Sequence, residues 1–376
     1  MTAMSVPTRL LIGVGTAAHL PCDLALPLPD GHPTGQPGLQ VMTQVVDDVI
    51  VEADVRIGLM HRSMERLYEA RDYRQLMMLA NRQDWVSSAA TELLIARAVE
   101  AAMGIEVPAR AVVIRTLLAE AARASALLAF LAPVLPDHAP AAALREQLAR
   151  AQERATGSRV HAMHARIGGV AADLDDATID EYRAAAQAIS RAMPRISADI
   201  TATMAPFAGV AVLTRAQAIA QSLLGPIGRA SGVALDTRVD DDAYAQVRDL
   251  LVPFGGPTDG DVPARYASLV HDLTVAATLV DACAEQLADV SGAVDVPLPK
   301  VVRVPEGTWM ATAEGPLGRT SVVVVSTGDK TPWRLALRTP SFMAAQALGT
   351  ALVGVKLADS AAAVMSFAIV PGDADR

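Results

Sequence analysis

The sequence predicts an α+β fold in which two strand-rich ends bracket an alanine-rich helical centre. Three observations lead there. Residues 22 to 56 carry short β-type runs separated by turn residues, residues 57 to 296 carry apolar side chains at helical spacing, and after Pro297 the pattern returns to strands. No Gly-rich strand-to-helix turn suited to a dinucleotide interrupts this order, so a doubly wound sheet is excluded. The string GVGTAAH near the start lacks both a third glycine and a following helix.

Taken in order, LALPL precedes a Pro/Gly-rich loop, PDGHPTGQPG, and then LQVMTQVV and VIVEADV form a hairpin about Asp47 and Asp48. Ile57, Met60, Met64, Leu67 and Tyr68 make one apolar stripe, which predicts a first helix that carries His61 and Arg62. Further helices are expected over 89–103, ended by Gly104, and over 114–131, closed by Pro133 and Pro136. Four more fall at 144–156, 180–202, 215–223 and 264–289. SVVVVS and PWRLALR form a second hairpin about Gly328 and Asp329, with Trp333, Leu335 and Leu337 on one face. A final helix starts at Phe342 and precedes a short end, FAIVPGDADR. The chain divides into an N-terminal extension (1–21), an N-terminal β region (22–56), a central helical domain (57–296) and a C-terminal β/α region (297–376).

With 52% hydrophobic residues, the 376-residue chain can bury a large core, and disorder is excluded. A mean hydropathy of +0.30 and 19% charged residues imply that surface is buried in the fold and against other subunits. The net charge of −9, without a Lys/Arg cluster, argues against nucleic acid. Cys22 and Cys283 stand alone, which fits a reducing cytoplasm and no metal centre. The N-terminus is a poor signal peptide. Lys356 and Asp359 interrupt the apolar segment 351–370, so membrane association is expected through a partner. His161 and His164 (HAMH) have no third ligand nearby in sequence and read as structural or solvated.

Several strings resemble, in order, the D subunit of complex I, the proton-pumping NADH:quinone oxidoreductase, itself related to the large subunit of nickel–iron hydrogenases. GHPTGQPG is similar to the family's HPxxHG loop, and ADVRIGLMHRSMERLYEARDYRQLMMLANRQDW to its HIGxLHRG-to-RxDY segment. RTLLAEAARASALLAFLAPVLPD, LLGPIGRASGVALDTR, EGPLGRTSVVVVSTGDKTPWRLALRTPSF and the closing GDADR follow. The similarity covers about nine-tenths of the chain. Both cysteine pairs of a nickel–iron site are missing, so hydrogen-cleaving chemistry is excluded on ligand count.

The resemblance implies a hydrogenase large-subunit-like fold and a chamber for a quinone headgroup, with quinone as substrate. Further expectations are no covalently bound cofactor, and an iron–sulfur cluster held only by a partner. Implied partners are the iron–sulfur cluster subunit, a membrane quinone-channel subunit and other peripheral-arm subunits. The implied place is peripheral, on the cytoplasmic face of the plasma membrane, with quinone reduction coupled to proton translocation. Tyr73 matches the family's quinone-binding tyrosine; its other reading is an interfacial tyrosine with a packed ring. His32 matches the first loop histidine, and reads equally as a loop histidine bonded to backbone. Gln36 stands where the family has a second histidine, so it can donate a hydrogen bond but no proton. Asp137 is either a proton relay or a post-helix carboxylate. His61 and Arg62 match a pair near the partner's cluster, or else Arg62 makes a helix-face bridge to Glu65. Arg82, Arg166, Gly168, Gly169 and Gly225 match family positions and read as turns and close packing. Gln36, a deletion after Asp137 and Leu127 in place of a family histidine suit an alternative, a structural or assembly paralogue without quinone chemistry.

Overall fold

The computed structural model describes residues 22–35, 38–86 and 88–376, so the expectations for Gln36 and the N-terminal extension lie outside the described residues. The first sheet is antiparallel and holds β1 (Leu24–Pro27), β2 (Gln40–Val46) and β3 (Val49–Arg56) in that order. Asp47 and Asp48 between the last two are both left-handed, φ 49° and 60°. A two-residue turn needs that conformation to follow the right-handed twist of its strands, and Asp tolerates it.

Two short helices follow, α1 (Met64–Glu69) and α2 (Tyr73–Ala80), the second capped by Asp72, which accepts the Gln75 N–H at 3.0 Å. The longer helices α3 (Ser88–Met103), α4 (Ala109–Leu131) and α5 (Ala139–Thr156) come next. A small hairpin, β4 (Ala165–Arg166) and β5 (Gly169–Val170), leads to α6 (Asp176–Met204), and short α7 (Arg215–Ala220) and α8 (Gly225–Ala230) lead to α9 (Val262–Asp289). Helices α4, α5, α6 and α9 pack as a bundle around Leu117, Leu128, Ile189, Leu273 and Leu279. Among the described residues, two helices, Ala109–Val134 and Val262–Asp289, are long and apolar enough to cross a bilayer. About 72% and 67% of their most apolar stretches is buried, mainly where they pack on each other and on α5 and α6.

The C-terminal region forms a second antiparallel sheet of β6 (Gly307–Gly315), β7 (Gly318–Ser326) and β8 (Arg334–Arg338), then α10 (Pro340–Leu352), α11 (Ser360–Ser366) and α12 (Pro371–Ala374). β6 adds a strand to the expected hairpin, pairing with β7 from Gly307–Ser326 to Gly315–Gly318. Leu335 and Leu337 are buried as expected. Trp333 is not: it precedes β8 and stands 72% exposed, where the turn carries it beyond the buried face. Two further cores cross the sequence divisions. One joins the first sheet to α10 and α11 through Leu26, Val41, Ile50, Leu348 and Phe367. The other joins α1–α3 to the second sheet through Tyr68, Leu76, Leu94, Val322 and Leu335.

Buried charges lock the bundle to the second sheet. Glu120 accepts from Arg123 at 3.0 Å, Arg238 at 3.1 Å and the Tyr244 hydroxyl at 2.6 Å. Burial opposes ionisation of Glu120, but the guanidiniums of Arg123 and Arg238 outweigh it and hold the carboxyl below its ordinary range. Arg123 also donates to the Gly315 and Glu314 carbonyls at 2.7 and 2.6 Å, at the β6–β7 turn. Removing one partner leaves a charge buried alone, which costs about 3–5 kcal/mol. Arg123→Ala is therefore expected to lower the stability of the folded chain by about 3–5 kcal/mol, read by denaturant unfolding.

Candidate functional site

The segment Pro371–Arg376 lies against three other parts of the chain. Asp375, itself buried, accepts the Gly58 N–H on Oδ1 at 2.6 Å and the Met60 N–H on Oδ2 at 2.7 Å. Gly58 is left-handed (φ 99°), and so is Ser63 (φ 54°). A helix cannot run through these residues, which corrects the expectation of one starting at Ile57. α1 begins only at Met64, and His61 and Arg62 lie in an exposed loop rather than on a helix face. Nor does Arg62 pair with Glu65. That carboxylate is taken by Arg334 and by the Leu337 N–H at 2.8 Å, which ties α1 to β8.

The other two contacts are steric. A Cβ at Gly38 would lie 2.6 Å from Pro371, and one at Gly372 would collide with the Trp85 ring. The Gln83 amide adds a polar link, donating to the Gly372 carbonyl at 3.1 Å. Thus the Gly38 loop, the 58–62 loop and the Trp85 turn after α2 are all braced by one segment.

Between them opens a cavity of about 690 Å³. Thr34 and Gly38 form one side, Leu59, Met60, His61 and Arg62 a second, and Arg82, Trp85 and His161 a third. Arg62 donates to the Arg82 carbonyl at 3.4 Å, and Arg82 reaches the Met163 sulfur at 2.9 Å. His161 Nδ1 bonds the Asn81 carbonyl at 3.1 Å. Burial, then the Arg82 charge, holds the His161 imidazole below its usual pKa, so it stands neutral at pH 7. The cavity therefore joins an aromatic face and thioether and aliphatic surface to several N–H donors. A second cavity, of about 640 Å³, lies beyond Met163 between Arg74, Met78, Arg166 and Leu298, and of the expected family positions it takes only Arg166.

The expected residues are only partly gathered here. His61 and Arg62 line the cavity, as do Thr34 and Gly38 on either side of Gln36. Tyr73 does not. It opens α2 with its ring fully buried in the core shared with the second sheet, and its N–H donates to the Lys330 carbonyl at 3.3 Å. Burial raises its phenol pKa, while the Ser326 hydroxyl beside it acts in the opposite direction. His32 turns its ring edge-on to Phe130, 5.7 Å away, and its Nδ1 takes the Thr34 hydroxyl at 2.8 Å, which braces the loop from within. Burial lowers its pKa to about 4. Asp137 is exposed and accepts the Ala139 N–H at 3.1 Å at the start of α5, the post-helix carboxylate reading.

Sequence reasoning misses Trp85, for which no periodic signal exists, and passes over Arg82 and His161. The latter pair has signals, a motif match and the HAMH string. His161 and His164 sit in a loop, and His164 bonds the Ala172 carbonyl at 3.0 Å. Among the described residues, no three His, Cys, Asp or Glu side chains are grouped to hold a metal ion.

The family described as "Respiratory-chain NADH dehydrogenase, 49 Kd subunit" matches residues 139–303 and 297–376. The chain is 37% identical to the second D-type NADH-quinone oxidoreductase subunit of Salinispora arenicola, with 100% of both chains covered. It is 39% identical to the first D-type NADH-quinone oxidoreductase subunit of Streptomyces coelicolor, over 99% of this chain and 100% of the relative. A chain of the membrane-bound sulfane sulfur reductase, an archaeal respiratory membrane complex, superposes with a TM-score of 0.83 at 29% identity, covering 92% of this chain and 96% of that one.

If Asp375 holds the 58–62 loop, Asp375→Ala should raise amide exchange at Gly58 and Met60 at least about tenfold, the equivalent of one lost hydrogen bond to a charged group. Exchange at amides within α9 should stay unchanged.

Proposed function

The chain belongs to the family of the 49 kDa, or D, subunit of NADH-quinone oxidoreductase, and from that premise we propose that the cavity in front of Trp85 is the headgroup chamber for a quinone. The family makes the chain a subunit of a multi-subunit, membrane-associated oxidoreductase of respiratory electron transport, with quinone as substrate. What carries the finer reading is the juxtaposition of Trp85 with Met60, Arg62, Arg82 and His161 around one opening. An indole offers a stacking face to a planar ring, and arginine N–H groups suit its carbonyl oxygens. Gln36, between Thr34 and Gly38 in sequence, is the proposed amide donor from the loop.

The rim of the cavity supports a partner. Leu59 (52% exposed) and Met60 (38%) stand exposed where the cavity opens beside His61 and Arg62. Apolar side chains among cations suit burial against another subunit. We assign this rim to the subunit that holds the iron–sulfur cluster, with His61 and Arg62 nearest to it. A guanidinium there would stabilise an added electron and raise the potential of a cluster held by the partner. Electrons then pass from the partner to the quinone, and this chain binds and orients the headgroup. A membrane subunit completing the quinone channel, attachment at the cytoplasmic face and coupling to proton translocation belong to the same proposal.

Quinone reduction by membranes that depend on this chain tests it. Trp85→Ala should lower the rate at least tenfold (about 1.4 kcal/mol in barrier), whereas Tyr73→Phe should change it less than about twofold, because that hydroxyl faces the second sheet. The reverse pattern would move the site to Tyr73.

A further inference from the structure

Arg82 and His161, on the third side of the cavity, belong to two loops that meet on one buried carboxylate. Glu92 lies in the second turn of α3 and is 1% exposed. Its Oε1 accepts the Met163 N–H at 2.8 Å, and its Oε2 accepts the Ala165 N–H at 3.2 Å. The side-chain amide of Asn81, itself buried, also donates to Oε1. One turn earlier on α3, the Ser88 hydroxyl donates to the Val160 carbonyl at 3.1 Å. A single face of α3 therefore fastens both the end of α2 and the 160–165 segment.

The third side of the cavity depends on these anchors. Asn81 immediately precedes Arg82, and its carbonyl takes His161 Nδ1 at 3.1 Å. Arg82 in turn reaches the Met163 sulfur at 2.9 Å. Neutral His161 has one N–H, which goes to Asn81, so Nε2 is left as an acceptor. Met163 is left-handed, φ 45°, a conformation that costs a non-glycine residue and persists only where its surroundings enforce it. Two N–H groups, of Met163 and Ala165, turned toward one carboxylate supply that constraint. Burial pushes the Glu92 carboxyl up to about 7, while those two N–H groups and the Arg166 charge act in the opposite direction. Glu92 does not itself line the cavity.

We propose that Glu92 is a positioning residue for quinone reduction, setting Arg82 and His161 against the headgroup through Asn81 and Met163. This rests on the cavity being the quinone chamber. A glutamine at 92 tests the contact closely, because its shape is nearly that of the carboxylate. Whichever way its amide is turned, the NH2 group meets at least one N–H donor, and that hydrogen bond is lost.

The test uses the assembled complex in membranes. In Glu92→Gln, amide exchange read by mass spectrometry should rise at least about tenfold at Met163 or Ala165, the equivalent of one lost hydrogen bond to a charged group, with α9 unchanged. The KM for quinone should rise at least about tenfold with kcat within about twofold of wild type, the pattern of lost headgroup binding. A double-mutant cycle separates positioning from general weakening. In a background of Arg82→Ala with His161→Ala, Glu92→Gln should raise KM less than about twofold, since nothing is left to position. Unchanged exchange overturns the anchoring. A wild-type KM, a fall in kcat alone, or an equal rise in KM in both backgrounds overturns the positioning role. If Glu92→Gln fails to assemble, Asn81→Ala replaces it, since the carboxylate and the backbone carbonyl at 81 both remain. Its KM should rise at least about threefold, one of three donors being lost, and the same cycle decides. Should Trp85→Ala reduce quinone at the wild-type rate, the chamber reading fails and the role in quinone reduction with it. Exchange at Met163 and Ala165 then still decides whether Glu92 holds the loop.

Discussion

Asp375 gives both carboxylate oxygens to the backbone, one to the Gly58 N–H and one to the Met60 N–H, across 317 and 315 residues of sequence. Hydrogen bonds of this charged kind contribute about 1.5–3 kcal/mol each. Their larger consequence is geometric. They hold the 57–63 segment out of helix, so that His61 and Arg62 face an opening instead of lying along α1. The same C-terminal segment seats Gly38 against Pro371 and Trp85 against Gly372. Three pieces of chain from three parts of the sequence thus become one site only because the Pro371–Arg376 segment lies between them.

The surrounding fold supplies stiffness. Glu120, Arg123 and Arg238 are fully enclosed, and Arg123 grips the β6–β7 turn through two backbone carbonyls. Such a network stabilises little relative to an apolar core of equal shape, but it tolerates no half-satisfied arrangement. It therefore specifies how the second sheet docks on the bundle. His32 plays a comparable part in its loop: kept neutral by burial, it packs on Phe130 and holds Thr34 in place at the cavity edge.

Much of this is legible in the sequence where the information is local. Alternation marks β2, β3, β7 and β8, and Gly104 and the prolines after Leu131 mark helix ends. The onset of α1 is misleading because Ile57, Met60 and Met64 have helical spacing. Two left-handed residues, Gly58 and Ser63, and a carboxylate far along the chain overrule that spacing. Trp85 leaves no periodic signal: a single aromatic between two helices, it shows only as the last residue of the string similar to RxDY. Tyr73 carries a motif match, but its position at the first turn of α2 points its ring into the core rather than the opening.

The membership of the chain in the 49 kDa subunit family and the cavity before Trp85 converge on one claim, that a quinone headgroup binds against the indole. The most direct measurement is the structure of the assembled complex with a headgroup-competitive inhibitor bound. The account predicts inhibitor density stacked on Trp85, between Met60 and the Arg82–His161 side. Density beside Tyr73 and the second sheet, with the Trp85 cavity filled by a partner's side chains, would contradict it.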